Sequence, residues 1–179
     1  MSADATALIA TLVARGATVA TAESLTGGLV CAALTSVPGS SAVVRGGLVS
    51  YAVTSKAEVL GVDSLLLERQ GAVDPAVAVQ MAVGARRLLA SDYAIATTGS
   101  AGPDPDPGGA MTGPVAPGRG FVAVAGPEGE VVAGFACEGR DREGVRQLAV
   151  ESALDLLSRV LAGTGDDGRS SPGASSVEP

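Results

Sequence analysis

Residues 21–28, T-A-E-S-L-T-G-G, hold a serine where it can act as a nucleophile. A β-like run precedes them and an apolar, helix-like run follows, so the sequence predicts Ser24 at a strand-to-helix turn. The free N–H groups and the dipole of a helix N-terminus favour a phosphate or a developing oxyanion. We therefore expect a substrate to contact Thr26, Gly27 and Gly28 beside Ser24.

The chain contains no histidine, and this decides which proton acceptors are open to a serine nucleophile. A Ser-His-Asp triad, a Cys-His dyad and any histidine-ligated metal are excluded. A lysine can serve as the base where desolvation or a nearby cation lowers its pKa from about 10.4 toward neutrality. Lys56 is the candidate base, although its spacing also fits an ordinary surface lysine.

Three further side chains belong to this candidate site. Tyr51 is predicted to end the second strand and Lys56 to open the next helix, so both can face the sheet edge that carries Ser24. A Tyr51 hydroxyl there can relay the proton, as in the serine/lysine β-lactamases. Ser41, in the loop before the second strand, is another candidate nucleophile, and the choice between the two serines stays open. Glu23 is expected either to orient Ser24 or Lys56 at the substrate site or to cap the following helix.

A second loop with hydroxyls and glycines, residues 97–104, follows the predicted third strand. Its sequence, T-T-G-S-A-G-P-D, can offer N–H groups to a phosphate or a carbonyl oxygen, or form an ordinary turn. A proline- and glycine-rich segment follows up to residue 120, and a loop of that length is usually functional or disordered. The candidate substrate contacts here and at the start of the last helix, with the arginines as phosphate ligands, are Thr98, Gly99, Gly102, Arg119, Arg142 and Arg146.

A layered arrangement of strands and helices is needed to position these residues. Helices are predicted over residues 5–14, 28–36, 64–69, 75–90 and 141–161, with a further short helix around Lys56 that Thr54 or Ser55 caps. Strands are predicted over residues 17–22, 43–51, 93–98, 121–125 and 131–136, the last two forming a hairpin. This order predicts an α/β/α sandwich around a mixed sheet of about five strands. We expect residues 1–162 to form one domain and residues 163–179 a disordered tail.

Composition and charge narrow the class of protein. The 179-residue chain is 46% apolar but only 2% aromatic, and its net charge is −7. The few basic residues form no run, so an electrostatic footprint for DNA or RNA is missing. No apolar run is long enough to span a bilayer, and no signal peptide opens the chain. We expect a cytoplasmic protein that acts on a small molecule, without a nucleic-acid or membrane partner, while a homo-oligomer stays open.

The ordered motifs along the chain resemble the C-terminal domain of the CinA family, the nicotinamide-nucleotide amidohydrolase. The resemblance covers residues 5–162 and rests on the segments 21–28, 38–41, 46–56, 60–62, 71–74, 98–104 and 141–146. It implies hydrolysis of the carboxamide of nicotinamide mononucleotide to nicotinate mononucleotide and ammonia, with no cofactor and no metal. The family's serine/lysine chemistry implies Ser24, Ser41, Tyr51 and Lys56 as catalytic residues and Thr98 in the binding loop. Longer relatives carry an N-terminal molybdopterin-binding-like domain, so the chain resembles the stand-alone form.

Departures from the family pattern concern substrate preference. A lysine-proline-valine-glycine segment is replaced by A-P-G-R-G at residues 116–120, where Arg119 can substitute for the lysine. The loop at 104–118 is longer, and Gln70 and Ser100 replace a histidine and an aliphatic residue. Two other functions therefore stay open. The chain can be a non-catalytic nucleotide-binding module of the same fold, or an amidase for another pyridine or purine amide.

Overall fold

The computed structural model describes residues 4–163, and these form six α-helices, one 3-10 turn and five strands. The helices are α1 (Ala5–Arg15), α2 (Leu29–Thr35), α3 (Val53–Glu58), α4 (Ser64–Gln70), α5 (Pro75–Leu88) and α6 (Arg142–Leu161), and the 3-10 turn is Ser40–Ala42. The strands are β1 (Val19–Glu23), β2 (Val44–Val49), β3 (Tyr93–Ser100), β4 (Arg119–Gly126) and β5 (Gly129–Ala136). Apart from Gly163, the predicted tail at 163–179 lies outside the described residues.

The strands form one mixed sheet in the order β2-β1-β3-β4-β5. β1 pairs in parallel with β2 and β3, whereas β4 pairs antiparallel with β3 and β5. The predicted hairpin is confirmed, because Gly126 pairs with Gly129 around a two-residue turn. Since β1, β2 and β3 run in one direction, their carboxyl ends meet at the same edge of the sheet. The residues that follow these three ends are therefore brought together.

Helices cover both faces of the sheet, which confirms the predicted α/β/α sandwich. On one face α1, α2 and α6 pack over branched aliphatic side chains, including the fully buried Leu12, Leu34 and Leu157. On the other face α5 packs against strands that present mainly alanine, with Val77 and Met81 fully buried. Small strand residues let the helix approach the sheet closely, which suits a core with few aromatic rings. None of the helices within residues 4–163 combines the length and apolar character needed to cross a bilayer.

Side-chain caps determine where most of the helices begin. An aspartate accepts an N–H bond from the first turn of four described helices: Asp4, Asp63, Asp74 and Asp141. α3 differs from the expectation of a Thr54 or Ser55 cap, because its N-cap is Ala52. The Ser55 hydroxyl instead donates back to the Ala52 carbonyl at 2.7 Å. Both predicted cap residues thus lie inside the helix, and Lys56 lies at the end of its first turn.

Candidate active site

A cleft of about 270 Å³ opens where β1, β2 and β3 end. Glu23 at the end of β1 is level with Val49 of β2 and Thr97 of β3, so the residues that follow all three strands meet there. Predicted site residues in its lining are Ser24, Tyr51, Lys56, Thr98, Gly99, Gly102 and Arg142. The structure therefore brings one predicted nucleophile, the predicted base and the predicted second loop to the same place.

The Lys56 amine lies 2.9 Å from the Ser24 hydroxyl oxygen. It also donates to the carbonyls of Ser50 at 2.7 Å and Tyr51 at 3.3 Å. Carbonyl oxygens only accept, whereas a hydroxyl both donates and accepts. A neutral amine can give its two hydrogens to the carbonyls and direct its lone pair at the Ser24 O–H. The site therefore satisfies Lys56 in both protonation states, and this is the geometry that a general base requires.

Burial shifts the titration of Lys56, whose side chain is 1% exposed. Desolvation lowers its pKa from 10.5 to about 8, because the interior disfavours the ammonium form, while the charge of Asp106 acts in the opposite direction. At pH 7 a pKa of about 8 leaves about one amine in ten neutral, against about one in 3000 at 10.5. Lys56 is also the only lysine of the chain, so no other lysine can take this role.

The N-terminus of α2 is occupied by the chain's own carboxylate, which corrects the expectation of a free anion site there. Glu23 is 1% exposed and accepts N–H bonds from Gly28 at 2.9 Å, Val30 at 3.0 Å and Cys31 at 2.8 Å. Charge-assisted bonds of this kind are among the strongest in proteins. Of its two predicted roles Glu23 thus has that of the cap. It fixes the turn that carries Ser24 and offers no surface to a substrate.

Ser41 lies at the opposite edge of the sheet, which corrects its prediction as a site residue. It belongs to the 3-10 turn that precedes β2, whereas Ser24 follows β1. In parallel strands these two positions are separated by a strand length, here five paired residues or about 17 Å. Ser41 is exposed and does not line the cleft. The choice between the two serines that the sequence left open therefore falls on Ser24.

The Tyr51 hydroxyl is bonded to Arg142, which donates to it at 2.8 Å. Its contact with Lys56 runs through the Tyr51 carbonyl, and no bond from its hydroxyl to Lys56 occurs among residues 4–163. The ring is 59% exposed at the rim of the cleft. Arg142 also donates to the Gly102 carbonyl at 2.7 Å. The pair thus bridges the rim of the cleft between the β2–α3 connection and the second loop, and the predicted proton relay through the Tyr51 hydroxyl stays a prediction.

Arg146 holds the nucleophile turn from the side of α6. Its guanidinium donates to the carbonyls of Leu25 at 3.1 Å and Thr26 at 3.0 Å. The remaining guanidinium nitrogen, Nη1, forms an ion pair with Glu143 at 2.9 Å. Arg146 is absent from the lining of the cleft, and its bonds position the turn that follows Ser24, while its contact with a phosphate stays a prediction.

Four other predicted contacts lie beside the cleft and do not line it. Thr26 is fully buried, with its hydroxyl 2.7 Å from the hydroxyl of Thr97. Gly27 and Gly28 have φ of +62° and +102°, and only glycine adopts such angles without strain. Arg119 is exposed at the start of β4. The first three shape the turn. Arg119 is paired with Ser100 of the cleft wall, and its contact with a substrate stays a prediction.

The second loop supplies the opposite wall of the cleft. Thr98 is 1% exposed, and its hydroxyl donates to the Ala72 carbonyl at 2.6 Å. Gly99 lies so close to β4 that a Cβ would approach the Arg119 carbonyl to 2.9 Å. Gly102 has φ of +82° and turns the chain out of β3. In this wall the Thr98 hydroxyl and the Gly102 carbonyl are already hydrogen-bonded within the protein.

Two residues of the site were missed from the sequence. The Ser50 carbonyl holds Lys56, but a backbone acceptor leaves no trace in residue type. Asp106 lines the cleft and acts on Lys56 through its charge. Its one signal was the alternation D-P-D-P directly after the glycine loop, which keeps two carboxylates next to the strand ends.

The sequence profile of the CinA C-terminal domain matches residues 2–161, nearly the whole of the chain. The chain belongs to the CinA family. A CinA-like protein of Frankia casuarinae is 48% identical over 155 residues, which cover 85% of this chain and 34% of that protein. A CinA-like protein of Thermosynechococcus vestitus is 47% identical over 149 residues, covering 82% of this chain and 35% of that protein. The chain thus spans about a third of the length of these curated relatives.

Solved structures of CinA-family proteins have the same fold. The competence/damage-inducible protein CihA of Agrobacterium tumefaciens is 37% identical with a TM-score of 0.79, covering 88% of this chain and 93% of that chain. A CinA superfamily protein of Escherichia coli is 33% identical with a TM-score of 0.80, covering 87% of each chain. The mixed five-stranded sheet and its helical layers are therefore a shared architecture of the family.

Proposed function

We propose that this CinA domain is a serine amidohydrolase that converts nicotinamide mononucleotide to nicotinate mononucleotide and ammonia. The observation that carries the proposal is the 2.9 Å contact between the buried Lys56 amine and the Ser24 hydroxyl in an open cleft. Activation of a serine by an adjacent base is the usual arrangement for covalent acyl transfer. The substrate comes from the family resemblance, and the chemistry comes from the two side chains.

The reaction proceeds in two halves. In the first, Ser24 Oγ attacks the carboxamide carbon while neutral Lys56 accepts the hydroxyl proton. Collapse of the tetrahedral intermediate breaks the C–N bond, and Lys56 returns the proton to the leaving nitrogen, which departs as ammonia. In the second, Lys56 takes a proton from water, the hydroxide attacks the acyl carbon, and Ser24 Oγ recovers the proton as nicotinate mononucleotide leaves. Lys56 is neutral again at the end of each cycle.

The N–H group of Leu25, beside Ser24, is the candidate for stabilising the oxyanion, because Leu25 lines the cleft whereas Thr26 is fully buried and does not. The N–H groups of both residues have no acceptor among residues 4–163. The carbonyls of the same two peptide planes are held, that of Ser24 by Gly27 N–H at 3.1 Å and that of Leu25 by Arg146 at 3.1 Å. A peptide N–H points away from its carbonyl, so both donors are oriented in advance.

The rim of the cleft supplies a cation for a phosphorylated substrate. Arg142 reaches the lining through its bonds to Tyr51 and Gly102, neither of which is a charged partner. A phosphate that takes the place of these neutral acceptors gains a charge-assisted, two-pronged contact. The amide at Ser24 and the phosphate at Arg142 would then define the two ends of the substrate.

Release of ammonia from nicotinamide mononucleotide by the purified protein tests this function, with Ser24→Ala as the matched control. We expect release by the unaltered chain and none by the variant, and both proteins should unfold at a similar temperature. Equal release by Ser24→Ala would refute the serine mechanism. Tight binding of the nucleotide by the unaltered chain without release would favour the nucleotide-binding module over the enzyme.

A further inference from the structure

Asp106 places a negative charge in the wall of the cleft that also contains Ser24 and Lys56. Its position is fixed by three short bonds. The backbone of Asp106 exchanges N–H to carbonyl bonds with Val115 at 3.0 Å and 2.8 Å, which makes an isolated bridge across the loop. One carboxylate oxygen accepts the Gly108 N–H at 2.9 Å, so the side chain is oriented as well as the backbone.

The loop that carries Asp106 is fastened to the end of α4. The N–H groups of Ala110 and Met111 donate to the carbonyls of Glu68 and Arg69 at 2.9 Å and 2.8 Å. The Thr112 hydroxyl donates to the Gln70 carbonyl at 2.9 Å. The free carbonyls of a helix C-terminus are thereby satisfied by the loop. The long proline-rich segment therefore forms a hydrogen-bonded wall of the cleft, and the Asp106 carboxylate belongs to that wall.

The carboxylate of Asp106 has no ion-pair partner among residues 4–163. Arg142 is bonded to neutral groups at the rim, and Lys56 is the cation whose titration Asp106 affects. In the reactive form Lys56 is neutral, because only a neutral amine can accept the proton of Ser24. At that moment Asp106 is a half-buried charge without a protein counter-charge, and a cationic ligand in the cleft would supply one.

We propose that Asp106 selects substrates whose amide-bearing ring carries a positive charge, with the ring becoming the counter-charge of this carboxylate. The inference rests on the proposed function, in which the amide lies at Ser24 and the ring beside it. A pyridinium ring meets this requirement, and a neutral ring of the same shape does not.

The test compares two ligands that differ in ring charge. Nicotinamide mononucleotide has a pyridinium ring, and its reduced form has a neutral dihydropyridine ring, while the amide, ribose and phosphate are the same. Dissociation constants for both are measured in the Ser24→Ala background, which prevents turnover, and then with Asp106→Asn added. Asparagine retains an oxygen for the Gly108 N–H, and Asp106→Ser is a second neutral variant that can accept the same bond.

We expect the Ser24→Ala parent to bind the oxidised ligand more tightly than the reduced one. Asp106→Asn should lower the ratio of the reduced to the oxidised dissociation constant about tenfold, as loss of one nearby charge in a partly buried cleft predicts. Glu128→Gln makes the same charge change at the exposed turn between β4 and β5, outside the cleft, and there distance and water should limit the shift to less than about twofold. An unchanged ratio in both neutral variants would overturn the role of Asp106 while leaving the proposed function intact. If the parent binds neither ligand, the proposed substrate fails and the inference fails with it.

Discussion

Replacing Lys56 with methionine should change how the stability of the protein depends on pH. The folded-state pKa of Lys56 is about 8 and its ordinary value is 10.5, so between these values the unfolded chain binds a proton that the folded chain does not. The free energy of unfolding therefore rises with pH across this window, by about 1.4 kcal/mol per unit and about 3 kcal/mol in all. Below pH 8 and above pH 10.5 the contribution of Lys56 to the free energy of unfolding does not change with pH.

The assay is urea denaturation at half-unit steps from pH 7 to pH 10.5, followed by far-ultraviolet circular dichroism. Other groups titrate in this range, and burial raises the pKa of Cys31, which makes stability fall with pH. Subtracting the curve of Lys56→Met from that of the unaltered chain removes these common terms. We expect the difference curve to climb from pH 8 to pH 10.5. Parallel curves would show that Lys56 titrates normally, and the argument for a neutral base at pH 7 would then fail.

Four further outcomes, one of them for the same Lys56→Met variant, test separate parts of the site. Lys56→Met should also lower kcat for ammonia release by at least about a hundredfold, measured at pH 7 and pH 9, because a thioether cannot accept the Ser24 proton. Glu23→Ala should lower the free energy of unfolding by about 3 kcal/mol in urea denaturation, with Glu23→Gln losing less, because three buried or part-buried N–H groups lose their acceptor. Arg142→Ala should raise KM more than it lowers kcat in steady-state kinetics, and the reverse pattern would place its role in the chemical step. Gly71→Ala should reduce turnover with little loss of sheet signal, because a Cβ there lies 2.6 Å from the backbone of residues 108 and 109 and would displace the loop.

The sequence was sufficient to predict the sheet, its layers and the pairing of Ser24 with Lys56. Ends of parallel strands share an edge, so a residue that follows β1 and a residue that follows β2 must be neighbours. That reasoning uses only strand direction, which the alternation of strands and helices supplies. The confirmed Asp74 cap and the confirmed hairpin turn depend on equally local chemistry.

The failures concern features that residue type does not encode. Ser41 precedes a strand and Ser24 follows one, yet both stand in small polar turns of similar composition. Tyr51 lies two residues beyond Val49, the last paired residue of β2, so the alternation of side chains along a strand does not determine its direction. Arg146 acts on carbonyls about 120 positions earlier in the chain, and such a contact depends on the docking of α6 against the turn.

The hydrogen bonds from Arg146 to the turn after Ser24 bear on the order in which the sheet and the candidate active site form during folding. Ser24 lies near the start of the chain. Arg146, which donates to the carbonyls of Leu25 and Thr26, lies 121 and 120 residues after them. A growing chain can assemble β1, β2 and β3 well before this arginine has been synthesised. During refolding, too, sheet formation can precede the closing of this long-range contact. We therefore expect recovery of turnover to lag behind recovery of secondary structure during refolding.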